Sequence, residues 1–314
     1  MTTLEAAELL RQKNQILILT HSRPDGDTLG CAAALCASLR KLGKTAYVLK
    51  NPDTTETYQE YVAAYLAPDS FRPEFVVSVD IAALQLLPDN ALPYRTRIDL
   101  AIDHHPSNEG FAAENCVDAS CAACGEILYD ICRTLVPMDE EIALPLYVAV
   151  STDTGCFVYS NTTPNTHRVA AELMALGEFA PKINKKLFRT KTFRRIRLEG
   201  LIAQSMRFID GGAIVFAPVT LDMLRTAEAT EADAEDLSAF TSQIAGAHVT
   251  ATLKETEKGN CKISLRTDET LNATDVCRLL GGGGHAAASG ALYHGSVEEA
   301  MKVLLAAIRQ VQGR

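Results

Sequence analysis

The sequence has no tryptophan, few aromatic residues and no long apolar run. Aromatic residues make up 6% of its 314 residues. No apolar run approaches the roughly 20 residues that a membrane-spanning helix needs, and the N-terminal MTTLEAAELLRQKN lacks the apolar core of a signal peptide. We therefore expect a cytoplasmic protein with no membrane partner. The length favours two domains.

An excess of positive charge is also missing. Lysine and arginine total 30 against 39 acidic residues, which gives a net charge of −9. Broad binding of duplex DNA depends on many phosphate contacts from basic side chains, so duplex DNA is not an expected partner. A small anionic substrate stays compatible with this charge, because bound divalent cations invert the local electrostatics of an acidic site.

The number of cysteines is odd, which does not fit a framework of disulfide pairs. There are nine of them, and Cys31 and Cys36 lie in alanine-rich, helix-like sequence. Cys121 and Cys124 form a C-x-x-C, but no second pair stands at zinc-finger spacing. We interpret the cysteines as reduced thiols packed in helices. A redox or zinc role for Cys121 and Cys124 is the alternative.

The first half of the chain alternates short apolar runs with helical segments. Residues 28–44 and 121–135 have helical spacing. The apolar runs are ILILT (16–20), TAYVLK (45–50), FVVSVD (75–80) and IDLAIDHH (98–105), and a further apolar segment, ALPLYVAVSTDTG (143–155), ends in an acid and a glycine. This alternation predicts an α/β domain whose mostly parallel sheet carries helices on both faces.

The second half of the chain has a different pattern of charge and predicted secondary structure. A strongly basic stretch precedes segments that predict further strands, and the C-terminus predicts an amphipathic helix. We expect a first domain at 1–180, a basic helical connector at 181–204, and a smaller α/β domain at 205–314.

Charged residues collect directly after the apolar runs of the first half. In open α/β sheets, ligands bind outside the carboxyl ends of the strands, so these side chains are expected to face one crevice. Carboxylates combined with imidazole suit Mn²⁺, and also zinc or iron. The candidates are His21, Asp25, Asp27, Asp80, Asp103, His104, His105 and Asp153.

Each motif taken alone has a plainer interpretation. Asp25 and Asp80 could be helix caps, the paired histidines could be solvated loop residues, and Ser151–Gly155 could be a helix cap or a turn. Later in the chain, Arg266 could clamp an anion, and the glycines at 281–284 could either approach a phosphate or form a flexible turn.

In order and spacing, these segments resemble the DHH/DHHA1 phosphoesterase family. The resemblance covers nearly the whole chain. In length and domain arrangement, the chain is most similar to the compact bacterial branch of the family, whose members hydrolyse short oligoribonucleotides (nanoRNA) and 3′-phosphoadenosine 5′-phosphate (pAp). The matching segments are HSRPDGD (21–27), SVDIA (78–82), AIDHHPSN (101–108), STDTGCF (151–157), SLRT (264–267) and GGGGHAAASG (281–290).

The resemblance implies a site with two Mn²⁺ ions, or Mg²⁺ or Co²⁺ in their place. One ion would be held by His21, Asp25 and Asp80, and the other by Asp27, Asp80, His104 and Asp153. The resemblance also implies three catalytic residues: Asp80 as the bridge between the ions, His105 at the scissile phosphate, and Asp103, which would orient the histidines. The substrate would be gripped by Arg266, Gly282, Gly283, Gly284 and His285.

The implied activity is manganese-dependent hydrolysis of short oligoribonucleotides, such as pApA, and of nucleotide bisphosphates, such as pAp. A hydroxide activated between two metals would attack the phosphate. Two alternatives remain open: a phosphodiesterase for cyclic di-AMP or pApA, and a nucleotide-binding sensor without catalysis. A homodimer is a further expectation.

Overall fold

A computed structural model of the chain describes residues 1–256, 259–268 and 270–313. The chain forms two units, Met1–Thr190 and Lys191–Arg314. Among the described residues, no helix combines the length and apolar character needed to cross a bilayer.

The first unit is built on a five-stranded parallel sheet with strand order β2-β1-β3-β4-β5. This confirms the predicted parallel sheet. The strands are β1 (Ile16–Leu19), β2 (Ala46–Val48), β3 (Phe75–Val79), β4 (Leu100–Asp103) and β5 (Glu114–Val117). The helices are α1 (Thr3–Gln12), α2 (Gly26–Lys41), α3 (Glu56–Val62), α4 (Cys124–Leu135), α5 (Glu140–Asp153), α6 (Pro164–Met174) and α7 (Ala180–Phe188).

Helical cover differs between the two faces of this sheet. Successive side chains of a strand point to opposite faces, and Ile16 and Ile18 of β1 join the core formed with the α-helices. Leu17 and Leu19 point the other way, into a smaller cluster. That second face is covered by loops and the short 3-10 helices Leu84–Leu86 and Asp89–Tyr94 rather than by α-helices.

The order of the strands creates a crevice between β1 and β3. From β1 the chain passes through α2 to β2 on one side, whereas β3 pairs with the other side of β1. The connections after β1 and β3 therefore diverge, and such a switch point is where open α/β sheets bind ligands. The HSRPDGD segment (21–27) follows β1, and Asp80 directly follows β3.

The apolar segment at 143–155 is not a strand-like run. It forms the body and end of helix α5, and Asp153 is the last residue of that helix. A helix that is buried all round lacks an amphipathic pattern, so periodicity alone could not separate it from a buried strand. Asp153 thus reaches the crevice from a helix, not from the sheet.

The second unit contains a six-stranded sheet with order β10-β11-β9-β8-β7-β6. Among the described strands of this sheet, only β7 and β8 pair in parallel. Its strands are β6 (Arg207–Ile209), β7 (Ile214–Val219), β8 (Val249–Glu255), β9 (Cys261–Thr267), β10 (Gly283–Gly284) and β11 (Ala288–Tyr293). Its helices are α8 (Phe193–Ser205), α9 (Leu221–Ala227), α10 (Leu237–Thr241), α11 (Ala273–Arg278) and α12 (Val297–Val311).

The basic stretch is helical and carries much of its charge in ion pairs. Arg195 contacts Glu199 at 2.7 Å, and Lys191 reaches the same carboxylate at 2.8 Å. Lys186 of α7 contacts Glu60 within the first unit at 2.5 Å. These cations stabilise their own unit, so they are not all available to attract a substrate.

Two glycines allow α2 to lie directly against α5. A Cβ on Gly30 would come within 2.3 Å of the carbonyl oxygen of Pro145, and one on Gly26 within 2.4 Å of Thr152 Oγ1. Real Cβ atoms do not approach this closely, so both contacts require glycine. The close packing brings the start of α2 next to the end of α5, where Asp27 and Asp153 lie.

We expect Gly30→Ala to destabilise the first unit by about 1–3 kcal/mol or more, because the backbone of α5 has to move away. The matched control is Gly200→Ala in α8, where a Cβ would meet nothing within 4 Å. That change should stabilise its helix by about 0.5–1 kcal/mol. Urea denaturation followed by circular dichroism measures both. A Gly30→Ala protein as stable as the wild type would contradict the packing argument.

Candidate metal centre

The loop after β1 supplies three side chains to the site. Asp25 is the N-cap of α2, and its Oδ1 accepts hydrogen bonds from the backbone N–H groups of Asp27 and Thr28 at 3.0 and 3.2 Å. The helix-capping interpretation of Asp25 is therefore correct, and it does not compete with ligation. The same oxygen lies 3.6 Å from His21 Nε2, so the cap also faces the imidazole.

Asp80 takes a left-handed backbone conformation, with φ of 59°. Its amide still donates to the carbonyl of Ile102 in the neighbouring strand at 2.9 Å. The side chain does not cap a helix; it is buried, and within the described part of the chain its Oδ1 has no hydrogen-bond partner. An unpaired buried carboxylate oxygen is costly and indicates that a cation belongs beside it.

Both candidate histidines are held in the tautomer that suits metal binding. His21 Nδ1 lies 2.9 Å from the carbonyl of Ser22, and His104 Nδ1 lies 3.2 Å from the carbonyl of Cys121. A carbonyl accepts only from N–H, so each Nδ1 carries a proton and each Nε2 is the nitrogen that faces the carboxylates and could bind a cation once it is deprotonated. Neither histidine is a solvated loop residue, because their side chains are only 16% and 13% exposed.

Among the described residues, one group of ligand atoms comes from His21, Asp25 and Asp80, and a second from Asp27, His104 and Asp153. A third group, Asp80, His104 and His105, overlaps both, and His105 Nδ1 lies 3.6 Å from Asp80 Oδ1. His21 Nε2 lies 3.6 Å from Asp80 Oδ2, while His104 Nε2 lies 3.5 Å from Asp80 Oδ1. Around His104, Nε2 also lies 3.4 Å from Asp153 Oδ2 and 3.9 Å from Asp27 Oδ2. Ligands that share one divalent cation are separated by about 3–4 Å when metal–ligand bonds are near 2.1 Å. The spacing therefore fits cation binding in both groups.

Asp27 is oriented by the N-terminus of α4. Its Oδ2 accepts from the amide of Cys124 at 2.7 Å, and its Oδ1 accepts from the amide of Gly125 at 2.9 Å. The Cys31 thiol lies 3.2 Å from Oδ1 as a third donor. Carboxylates are favoured at helix N-termini, so this side chain caps α4 and faces the crevice at once.

His105 differs from the other two histidines in its partner. Its Nδ1 lies 2.7 Å from Asp103 Oδ1, which also accepts from the amide of His104 at 2.8 Å. The second oxygen of Asp103 accepts from Asn108 Nδ2 at 2.7 Å. Burial alone would raise the pKa of Asp103, but these hydrogen bonds outweigh it and hold the pKa below its ordinary value.

The carboxylates of the cluster repel one another in the absence of a cation. Burial raises the pKa of Asp27 well above its ordinary value, and the charges of Asp80 and Asp153 raise it further. Burial and the charge of Asp80 raise the pKa of Asp153 to about 8. Burial would lower the pKa of His21, but its contacts with Asp25 and Asp80 raise it to about 11. Bound cations would remove this repulsion.

The donor set fits hard or borderline divalent metals. Each group offers carboxylate oxygens and imidazole nitrogens, with no cysteine among the clustered ligands of the described residues. Such O/N sites suit Mn²⁺, Mg²⁺, Co²⁺ or Zn²⁺ rather than thiolate-preferring ions. All nine cysteines are free thiols, and Cys124 is buried behind Asp27.

The remaining predicted residues lie in the second unit. Arg266 is on β9, opposite Ala288 of β11 and Thr250 of β8, and His285 is exposed at the turn between β10 and β11. Packing accounts for two of the glycines. A Cβ on Gly282 would lie 2.1 Å from the carbonyl oxygen of Gly290, and one on Gly284 would lie 2.6 Å from that of Ala288. Gly283 has open space instead.

Several groups that organise the site have no separate sequence signal. The carbonyls of Ser22 and Cys121 and the amides of Cys124 and Gly125 are backbone groups, so residue identity does not reveal them. Asn108 lies in the AIDHHPSN segment, where an amide five residues after Asp103 was a detectable feature.

The chain matches two family models, and it matches several named proteins along most of its length. The DHH family, N-terminal domain, matches residues 15–150, and the DHHA1 domain matches residues 217–313. The chain is 32% identical to the bifunctional oligoribonuclease and PAP phosphatase NrnA of Thermus thermophilus, over 97% of this chain and 92% of that protein. The protein of the same name from Bacillus subtilis is 25% identical, over 92% of each.

A solved structure shows the same fold. An exopolyphosphatase-related protein from Bacteroides fragilis superposes with a TM-score of 0.86 at 22% identity, covering 99% of this chain and 96% of that one. With the motifs and site geometry above, the chain belongs to the DHH/DHHA1 phosphoesterase family and resembles its NrnA-like branch. It is accordingly a hydrolytic phosphoesterase.

Proposed function

We propose that the site holds two divalent cations with Asp80 between them, and that manganese is the preferred metal for both. The observation that carries this proposal is that the two oxygens of Asp80 face two different imidazoles, at 3.6 and 3.5 Å. His21 and Asp25 would complete one ion's ligands. Asp27, His104 and Asp153 would complete the other's. When bound, such a pair would lower the pKa of water and stabilise the charge on phosphoryl oxygens.

His105 is proposed to contact the scissile phosphate rather than a metal. Its Nδ1 is engaged by Asp103, at 2.7 Å, so the proton sits there and Nε2 points away from that carboxylate. Asn108 holds the Asp103 carboxylate, which in turn holds the imidazole ring of His105. Asp103 is thus proposed as the positioning residue, and His105 as the catalytic residue that holds a phosphoryl oxygen.

The proposed substrates are short oligoribonucleotides, such as pApA, and pAp. The names of the relatives from Thermus thermophilus and Bacillus subtilis support this choice. Arg266 has a guanidinium fork suited to a terminal phosphate, and we propose it as a substrate ligand together with His285. The glycines Gly282, Gly283 and Gly284 are proposed to shape the adjacent loop. Gly282 already donates its amide to the carbonyl of Cys277, so its contribution is to packing.

Two alternative functions would use the same site, one with a different substrate and the other without catalysis. A phosphodiesterase for cyclic di-AMP or pApA would use the same metals on a different substrate. A sensor without catalysis would bind nucleotide through the same residues. The full set of clustered acids and histidines disfavours the sensor, because a binding protein has no need of a metal-activated water. The homodimer stays a prediction.

The function is tested by metal removal and a substrate panel. We expect chelator-treated protein to be inactive and two equivalents of Mn²⁺ to restore turnover, because the site's own ligands supply no nucleophile. The reloaded protein is offered pAp, pApA, 5-mer RNA, cyclic di-AMP and polyphosphate. Fastest turnover of pAp, pApA or the 5-mer is the expected result. Fastest turnover of cyclic di-AMP would favour the first alternative, and binding without turnover would favour the sensor.

A further inference from the structure

The turn that follows Asp153 has an unusual backbone. Gly155, Cys156 and Phe157 have φ values of 55°, 58° and 67°, so three consecutive residues are left-handed. Residues with a Cβ seldom adopt this region, and they persist there only when the surroundings fix them. We call Thr154–Asn161 the left-handed turn.

Hydrogen bonds at both ends hold the left-handed turn against the site. Thr154 Oγ1 donates to the carbonyl of Val150 at 2.7 Å and accepts from the amide of Phe157 at 3.2 Å. At the other end, Asn161 Nδ2 donates to the carbonyl of Asp153 at 3.1 Å and to that of Ala122 at 3.0 Å. The turn is therefore fixed to the backbone of a proposed metal ligand.

The turn packs one half-buried aromatic side chain against the core and exposes the next two side chains. Phe157 packs inward against His167 and Tyr147, with ring centroids 5.3 and 6.1 Å away. Val158 and Tyr159 stay 75% and 47% exposed. The left-handed backbone therefore packs Phe157 against the core and leaves the next two side chains, Val158 and Tyr159, facing solvent. Adjacent exposed apolar side chains beside a polar site are a feature of binding surfaces.

Tyr159 is supported from below by Gly155. Its Cζ, Cε1 and Cε2 atoms lie 2.4, 2.5 and 2.7 Å from the place that a Cβ on Gly155 would take. The ring thus occupies the space left by the missing side chain and rests on backbone two residues from Asp153. This support holds the ring in place while nearly half of the residue faces solvent.

We propose that Tyr159, flanked by Val158, is the platform on which a nucleobase of the substrate stacks. This inference rests on the proposed nucleotide substrate. An exposed aromatic ring on a fixed backbone provides sequence-tolerant stacking, since every base has a π-face. Because Asn161 ties the turn to Asp153, the platform is fixed relative to the phosphate site. It therefore selects for nucleotides over phosphoesters that lack a base.

The test measures binding by titration calorimetry, using a pApA analogue with a methylene in place of the bridging oxygen and the same analogue without bases. Tyr159→Leu keeps a shorter apolar side chain but removes the ring, and should raise the Kd of the base-containing ligand about tenfold. Tyr159→Phe should bind like the wild type. The base-free ligand should bind equally to all of them. Phe208→Ala removes a different aromatic residue, 61% exposed in the second unit, and should change neither Kd.

The outcomes separate this inference from the proposed function. Equal weakening of both ligands in Tyr159→Leu, with lower metal content, would show that the ring only supports the turn and would overturn the platform. An unchanged Kd in that variant would overturn it as well. If the wild type binds the base-containing ligand more tightly through Tyr159 but does not hydrolyse pApA with Mn²⁺, the platform stands and the proposed function fails.

Discussion

Asp80→Asn is expected to reduce turnover of pApA by more than about 100-fold and to lower the amount of bound Mn²⁺. Replacing groups that merely orient a metal ligand costs about 10–100-fold, and Asp80 is proposed to contact both metals directly. An asparagine has one carbonyl oxygen and no charge, so it cannot replace two carboxylate oxygens that face His21 and His104 at 3.6 and 3.5 Å. Metal content by mass spectrometry and turnover are measured on the same sample.

The Asp80→Asn variant tests metal binding more specifically than an Asp27→Asn variant would. Asparagine tolerates the left-handed conformation that Asp80 adopts, so the backbone should not change. Asp27→Asn would instead remove an acceptor from the amides of Cys124 and Gly125, and it would mix metal loss with damage to α4. Asp130→Asn, on the outer side of α4 beside Arg133, serves as the control and should leave activity unchanged. Full activity of Asp80→Asn with two metals bound would refute the shared-ligand assignment.

Arg266→Ala is expected to reduce kcat/KM for pApA by tenfold to a hundredfold while both metals stay bound. Loss of one charge-assisted bidentate contact corresponds to about 1.5–3 kcal/mol. Arg266 lies on β9 of the second unit, outside the residues of the metal cluster, so its removal should not affect metal content. A 24-mer RNA should be a poor substrate for the wild type and should lose less on mutation, because a terminal phosphate is a larger part of a short substrate's contacts.

The matched control for this prediction is Arg225→Ala, which removes the same charge from an exposed side chain in α9 of the same unit. It should leave kcat/KM for both RNAs unchanged. Equal wild-type rates on pApA and the 24-mer, or equal losses on both in Arg266→Ala, would show that this arginine does not select short substrates.

The sequence predicted the parallel sheet and the clustering of acids and histidines after its strands because both follow from short-range patterns. An apolar run followed by acids and histidines places polar side chains at the carboxyl end of a strand, as found for His21, Asp80 and His104. Asp153 was harder to place. Its preceding segment is apolar on all sides, and only the structure shows that this segment is helix α5.

Two kinds of contact could not be predicted from the sequence: hydrogen bonds made by backbone groups, and close approaches that a glycine permits because it has no side chain. The amides of Cys124 and Gly125 orient Asp27 across about a hundred residues of chain, and no residue pattern encodes that. Gly26 allows Thr152 of α5 to come close, and the HSRPDGD segment alone does not reveal that contact. The left-handed conformation of Cys156 and Phe157 was equally hidden, since neither residue type favours it.

The central claim is that two metal ions share Asp80, and the most direct measurement is anomalous diffraction at the manganese edge from crystals grown with Mn²⁺. The account predicts two peaks in each chain. One should lie within bonding distance of His21, Asp25 and Asp80, and the other within bonding distance of Asp27, Asp80, His104 and Asp153. A single peak, or two peaks of which one lacks Asp80 as a ligand, would contradict the account.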